Sequence, residues 1–407
     1  MYKWNPTFNL VMKIKQDYKN TCDNNEKSFS KWLEILNKKE YNDIFECLQM
    51  NQCDNFLLIR YGIAEMQRSM WTDGDSIYRE CRSIVIDLEN EAIVLCPFRK
   101  FFNIGEVEEN SMENILQEIQ NAKIVEITNK LDGSMQSARY YNNEIFMAGS
   151  MALDCKNSWR LKEGYEMLTD NYKRMIKDNS MYTFTFEYIS LRDAHVVLYD
   201  KKQEGLYLIG IRNVMTGYQL SYGEVEYYSL KYDIPMTKIE NLTFDQVLKQ
   251  MKTAEAHEKE GWVINLDGHL IKAKADDYIH LHRLLDRVAS INVIIQNIAE
   301  DKYDDMMCKI PISYRDRIEK IANIVISYKT LVENTVESYC NKAPKDDKKI
   351  FMIWVDNNCP KEVRGYIRCK YLHKEFNVLK RSGGGYKKLN MICNYESYSD
   401  LFEDSEG

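Results

Sequence analysis

The residues with the plainest chemical potential are Lys130-Leu131-Asp132-Gly133-Ser134, lying between the β-rich runs KIVEITN and QSARYY. A lysine amine is a nucleophile only when uncharged, and neighbouring cations or loss of water lower its pKa toward that state. Other polar residues embedded in strand-like runs could serve such an amine. Glu187 sits among aromatics in FTFEYIS, and Glu260 stands at the mouth of GWVIN. LIKAK puts Lys272 and Lys274 on one face of a strand, because strand side chains alternate with period two. An ordinary D-G turn after a lysine explains the first motif alone, and a solvated strand face explains any one of the others. Neither explains well the ordered set.

The elements that must position these groups show in the residue pattern. FLLIRYGIAEM, CRSIVIDLENEAIVLCPFRKFF, TFTFEYIS, GLYLIGIRNVMTGYQLS and GWVINLDGHLIKAK are β-branched and aromatic runs broken by turn residues. They predict an α+β domain of twisted antiparallel sheets with helical inserts near 111–121, 158–178 and 243–259. Upstream, Phe29, Trp32, Leu33 and Leu36 recur at helical spacing. Beyond Leu281 the strand pattern stops. Leu284, Val288, Ile291, Ile295 and Ile298, then Ile318, Ile321, Ile324, Tyr328, Leu331 and Val336, predict an all-helical C-terminal domain. The expected division is 1–282 and 283–407, with an acidic tail in LFEDSEG.

Composition bounds the partners. A length of 407 residues suits two or three domains, and 23 Gly plus Pro with 12% aromatics excludes collagen-like and disordered classes. The net charge of -7 excludes a globally basic protein, but a local basic groove is compatible with it. The eleven cysteines are never spaced C-x-x-C, which argues for free thiols in a reducing compartment. The first residues lack a signal-peptide core, and no run approaches the ~18 apolar residues that span a bilayer. A soluble, cytoplasmic protein with no membrane partner is expected, a viral protein in its host cell included.

In order, K-x-D-G, a strand Glu, E-G-hydrophobic and K-x-K resemble the motifs of the covalent nucleotidyltransferases, the nucleic-acid ligases and capping enzymes with an ATP-grasp-like ligase domain. The chain looks most like the RNA ligase 1 family of the T-even phages. YRECRSIVID, CPFRKFFNIGE, TFEYIS, LIGIRNVMTGYQLSY and EGWVINLDGHLIKAKADDYIHLH carry that likeness, over about residues 56–282. The resemblance implies that Lys130 attacks ATP to form lysyl-AMP, that AMP passes to the 5′-phosphate of an RNA, and that a 3′-hydroxyl then seals the ends. Tyr61, Arg82, Lys100 and Phe102 would line the ATP site, with Tyr61 or Phe102 near the adenine, and Glu187, Glu260, Lys272 and Lys274 would complete it. Tyr278 matches a family tyrosine needed for activity. Mg²⁺ (or Mn²⁺) is implied, with Glu260 and an acidic residue of the helical domain, Asp301 or its neighbours Asp304 and Asp305, as its ligands. Lys272 and Lys274 are expected to depress the pKa of Lys130. Nicked tRNA is the implied repair target, with an end-healing kinase-phosphatase as a further partner.

Three positions depart from the family pattern. Ser83 follows Arg82 where glycine is usual, and Ala148 stands where a lysine precedes Gly149-Ser150. An arginine expected after the Glu187 strand is missing from LRDAHVV, leaving Arg192 or His195 to replace it. A capping guanylyltransferase or DNA ligase is the rival enzyme, and a non-catalytic RNA-end binder the rival of another class. His280 and His282 read as the start of a helix rather than a metal pair, and Cys81 and Cys155 have no base beside them. RSGGGYKKLN reads as a loop without phosphate-loop spacing, KAPKDDKK as a solvated loop, and YRDRIEKI and RGYIRCKYLHKEF as amphipathic helices or surfaces for single-stranded bases.

Overall fold

A computed structural model describes residues 4–21, 35, 48–62, 76–153, 158–193, 195–288, 290–308, 310–311 and 314–393. Phe29, Trp32, Leu33, Leu36, Cys155 and the acidic tail lie outside the described residues. The chain divides into two compact units, Met1–Ile279 and His280–Gly407. Elements are numbered in chain order among the described residues.

Three four-stranded sheets build the first unit. In the first, β1 (Leu48–Cys53), β2 (Phe56–Tyr61), β3 (Arg82–Asp87) and β4 (Ala92–Leu95) follow one another antiparallel. Helix α1 (Pro6–Thr21) buries Phe8, Val11, Ile14 and Tyr18 at helical spacing in one core with Leu57, Ile59, Ile84 and Ile86 of that sheet. The short α2 (Ile77–Glu80) leads into β3.

The second sheet has the order β10-β9-β7-β8, all antiparallel, from β7 (Ser134–Tyr141), β8 (Glu144–Gly149), β9 (Tyr182–Ile189) and β10 (Gly205–Asn213). In β9 the two faces separate by period two. Phe184, Phe186 and Tyr188 enter a core with side chains of α4 (Trp159–Glu166), α5 (Asp170–Asp178) and α6 (Tyr222–Tyr232), which leaves Thr185 and Glu187 on the opposite face.

The third sheet, β5-β12-β11-β6, joins β5 (Phe102–Asn103), β6 (Val125–Lys130), β11 (Gly261–Leu266) and β12 (His269–Lys274). Its β5–β12 pairing is parallel and the others antiparallel. Helices α3 (Met112–Asn121) and α7 (Phe244–Met251) share a core with Trp262, Ile264 and Ile271.

Helix α8 (Asp276–Val288) carries His280 and His282 and crosses the boundary between the units. The second unit continues with α9 (Ile291–Ala299), α10 (Tyr303–Met307), α11 (Arg315–Lys342), α12 (Lys348–Asn358) and α13 (Arg364–Tyr371). Its described residues contain no named strand. The architecture is therefore α+β with antiparallel sheets, followed by helices. No helix among the described residues is long and apolar enough to cross a membrane.

Candidate active site

Strand register brings the charged motifs together. Gly261 pairs with Lys130 across β6 and with Lys274 across β12. Glu260, the residue before it, therefore lies between two lysines. Its carboxylate, 3% exposed, accepts from Lys130 Nζ at 2.6 Å and from Lys274 Nζ at 2.9 Å. Gly261 is required here: its φ is +148°, and an added Cβ would stand 2.2 Å from the Ala273 carbonyl oxygen.

The K-x-D-G turn is held at each residue after the lysine's neighbour. Asp132 Oδ2 accepts the backbone N–H groups of Val196 and Val197, both at 2.9 Å, and Oδ1 accepts the Tyr278 hydroxyl at 2.8 Å. The Asp132 N–H donates to the Tyr199 hydroxyl at 2.9 Å. Gly133 N–H donates to Glu187 Oε1 at 3.0 Å, and a Cβ on Gly133 would meet the Tyr188 carbonyl oxygen at 2.3 Å. Ser134 Oγ donates to Asp193 Oδ2 at 2.6 Å, and Asp193 also pairs with Arg160 at 2.7 Å. The buried Asp193 carboxyl, opposed by burial but held by His195, Ser134 and Arg160, falls to about 2.

Beside this turn a cleft of about 820 Å³, its open mouth included, is lined by Arg82, Phe98, Phe101, Lys130 and Glu187, with Glu126 and Asn265 among the polar lining. Burial pushes the Glu187 carboxyl up to about 7, an effect Lys130 offsets and Glu260 and Asp132 reinforce. Burial also lowers the pKa of Lys272 well below the lysine range, aided by Arg82, Lys130, Lys100 and Lys274. Arg82, its own pKa lowered by burial, stacks on Phe101 at 4.6 Å, and its Nη1 has no hydrogen-bond partner among the described residues. Lys272 lies over the same ring at 4.7 Å and has no carboxylate partner among the described residues. Buried cations in this state suit an anion such as a polyphosphate.

Several expectations need correction. The Lys130 pKa is raised, not lowered: burial opposes its charge, but Glu260, Glu187 and Asp132 outweigh that. The charge crowding falls on Lys272 instead. Phe102 is 1% exposed, with Arg79 and Lys100 over its ring at 5.2 and 5.4 Å, and Phe101 is the aromatic of that pair on the cleft. Lys100 also lies 4.5 Å over the Tyr61 ring, and Tyr61, like Lys272, is not among the residues that line this cleft. Asp301, expected as a metal ligand from the helical domain, pairs there with Lys329 at 3.1 Å. Glu260, named as a metal ligand, is engaged by two ammonium groups. The hard carboxylate oxygens of Glu187 and Glu260 still suit a divalent cation such as Mg²⁺ or Mn²⁺.

The departures have structural counterparts. Ser83 adopts φ +65°, the left-handed conformation a glycine takes freely, and its hydroxyl donates to the Ser150 carbonyl at 2.7 Å. Ala148 is 2% exposed in an apolar cluster with Leu58, Val85 and Leu95, a setting with no room for an unpaired ammonium. Arg192 pairs with Glu163 at 2.8 Å and lies over the Trp159 ring at 4.1 Å, while His195 Nε2 is 3.7 Å from Asp193 Oδ2. Asp193 and Tyr199 were not singled out in the sequence, since nothing local distinguishes an aspartate in LRDAHVV as a hub.

The model of the RNA ligase family matches residues 80–282, the stretch that holds this whole constellation except Tyr61. Residues 80–282 belong to the RNA ligase family. The chain is 25% identical over 284 residues to a candidate RNA ligase of Thermovibrio ammonificans, covering 65% of this chain and 69% of that one. It is 22% identical over 251 residues to a candidate bifunctional polynucleotide kinase/RNA ligase of Autographa californica nuclear polyhedrosis virus, covering 57% of this chain. The chain spans only 35% of the length of that viral relative. Among solved structures it is similar to a Naegleria gruberi RNA ligase with pyrophosphate, at 19% identity and a TM-score of 0.34, over 42% of this chain and 55% of that one.

Proposed function

We propose that the chain is an ATP-dependent RNA ligase acting through lysyl-AMP. The observation that carries this reading is Lys130, held by Glu260 beside Lys274 and lining a cleft with Arg82, whose Nη1 has no partner among the described residues, and with Phe101, over whose ring Lys272 lies. Lys130 Nζ would attack the α-phosphorus of ATP; an N–P bond forms, the bond to pyrophosphate breaks, and the amine proton leaves. Arg82, Lys272 and Lys274 would hold the anionic oxygens, and Phe101 a face of the base. In the resting pair the proton stays on Lys130, because Glu260, Glu187 and Asp132 all stabilise the ammonium. Glu260 is the base in contact with it. Mg²⁺ bound with the phosphates would supply positive charge that neutralises their oxygens and competes with the lysines for Glu260. AMP would then pass to an RNA 5′-phosphate, and a 3′-hydroxyl would displace it, sealing the phosphodiester.

Residues 1–282 would thus be the adenylyltransferase domain and 283–407 the RNA-selecting domain, with Tyr278 positioning Asp132 rather than touching substrate. Helices after β12, rather than strands, favour this reading over a capping enzyme or DNA ligase. Nicked tRNA is the proposed substrate, and the kinase named in the viral relative supports an end-healing activity acting before this one. The test is incubation with α-labelled ATP or GTP and Mg²⁺, alongside Lys130→Ala. ATP label that is lost in the variant and chases onto 5′-phosphorylated RNA is expected. Label from GTP would point to capping, and none from either in folded, AMP-free protein would leave a non-catalytic RNA-end binder.

A further inference from the structure

One sequence motif is left unused by the cleft: RSGGGYKKLN, in the helical unit. From Lys380 to Lys388 the chain turns back on itself, with Lys380 and Tyr386 bridged antiparallel. Arg381 N–H donates to the Gly385 carbonyl at 3.0 Å, and Gly384 N–H to the Arg381 carbonyl at 3.1 Å. Gly384 and Gly385 have φ of +90° and +71°, and nothing stands within 4 Å of a Cβ added at Gly383, Gly384 or Gly385. The tip is therefore bare backbone. The N–H groups of Ser382, Gly383 and Gly385 bond to no group among the described residues.

Charge is concentrated around that tip. Lys380, Arg381, Lys387 and Lys388 flank it, with no Asp or Glu from Lys380 through Lys388. Lys380, Arg381 and Lys388 are exposed and form no ion pair among the described residues. Lys387 instead anchors the base, donating to the Tyr328 hydroxyl at 2.7 Å. One carboxylate reaches the hairpin: Glu300 accepts from the Tyr386 hydroxyl and is already paired with Lys302 at 2.7 Å. On a chain of net charge -7, such a local excess is an anion seat.

The spacing is wrong for a nucleoside triphosphate, since no G-x-x-x-x-G-K-S/T run is present and no α-helix opens after the glycines. A polymer of phosphates fits better. Its oxygens accept from backbone N–H groups where no side chain keeps them away, flanking cations hold adjacent phosphates, and the part-exposed Tyr386 offers a ring to an unpaired base. We infer that the Lys380–Lys388 hairpin holds the sugar–phosphate backbone of single-stranded RNA independently of its sequence. This rests on the reading of RNA as the substrate.

The test is fluorescence anisotropy of the full chain with a labelled 5′-phosphorylated single-stranded RNA at ~50–200 mM salt. The triple variant Lys380→Ala, Arg381→Ala, Lys388→Ala should bind about tenfold more weakly at the low end, with its log–log salt slope reduced by about 2, at about 0.7 per phosphate contact. Arginine at both lysine positions should restore the slope. Lysyl-AMP formation from ATP should not change, because none of these residues lines the cleft. Unchanged RNA affinity and slope overturn the inference, as does loss of poly-glutamate binding with RNA binding intact, which would mark an acidic protein partner. If the unmutated chain forms no lysyl-AMP while the triple variant still loses RNA, the ligase reading fails and the hairpin assignment stands.

Discussion

Replacing Glu187 by Gln should make the protein more stable at neutral to alkaline pH while removing function. The glutamine keeps an oxygen to accept the Gly133 N–H, so the turn retains its 3.0 Å bond. What changes is the charge. Burial raises the Glu187 carboxyl from an ordinary 4.5 to about 7. A carboxyl raised in the folded state binds its proton more tightly there than in the unfolded chain, so ionisation favours unfolding. Below pH 4.5 both states are protonated and the group has no effect. Between pH 4.5 and 7 the unfolded state ionises first, and stability declines by about 1.36 kcal/mol per pH unit. Above pH 7 the penalty levels off, at about 2–3 kcal/mol once the partial solvent access of the side chain is allowed for. Urea unfolding of both proteins in parallel from about pH 4.5 to 8 reads this directly. The stability gap should open across that window in favour of the variant, while lysyl-AMP yield falls. A gap that stays flat with pH, or a variant less stable at pH 8, would refute the assignment of a buried, proton-holding carboxyl.

Tyr278→Phe removes the hydroxyl that bonds to Asp132 Oδ1 at 2.8 Å in a buried setting, and should cost about 1.5–3 kcal/mol of stability. Its loss of activity should appear in the rate of adenylylation rather than in ATP affinity, as measured by single-turnover labelling against ATP concentration. Ser83→Gly relieves the φ of +65° but gives up the bond to Ser150, so its melting temperature should stay close to that of the parent. Ser83→Val, β-branched in the same conformation, should lower stability by more than about 2 kcal/mol, and equal melting of the two variants would contradict the strain.

Period-two alternation made much of the first unit legible from the sequence. In β12 it put Lys272 and Lys274 on one face, and in β9 the structure shows the same period setting Glu187 opposite Phe184, Phe186 and Tyr188. The helical repeat after Leu281 was equally direct. The sequence does not state which charges end up nearest in space. Lys272 and Lys274 are prominent along the chain, yet the β6–β11 register sets Glu260 against Lys130 and reverses the expected pKa direction. Phe101 and Phe102 are adjacent aromatics in a two-residue strand, too short for alternation to tell which one faces the cleft. Helix α6 was missed because GYQLSYGEVEYYSLKY spreads its aromatics around the helix; its one local signal was the capping box of Ser221 and Glu224. Ala148 read as a lost charge, whereas its position faces an apolar core.

Lys130 ends β6 and Ser134 begins β7, so at this crossing the third sheet is linked to the second by Leu131, Asp132 and Gly133 alone. At full stretch so short a link reaches about 14 Å, and here it is turned and pinned rather than stretched. The two sheets therefore cannot swing apart at this point without dragging the amine along. On the proposed ligase reading, whatever opening lets pyrophosphate out and a polymer end in must be borne by other segments. The link is also intolerant of length: one residue inserted after Leu131 would put Asp132 and Gly133 out of step with their partners, whereas the longer connection between β10 and β11 could absorb the same insertion.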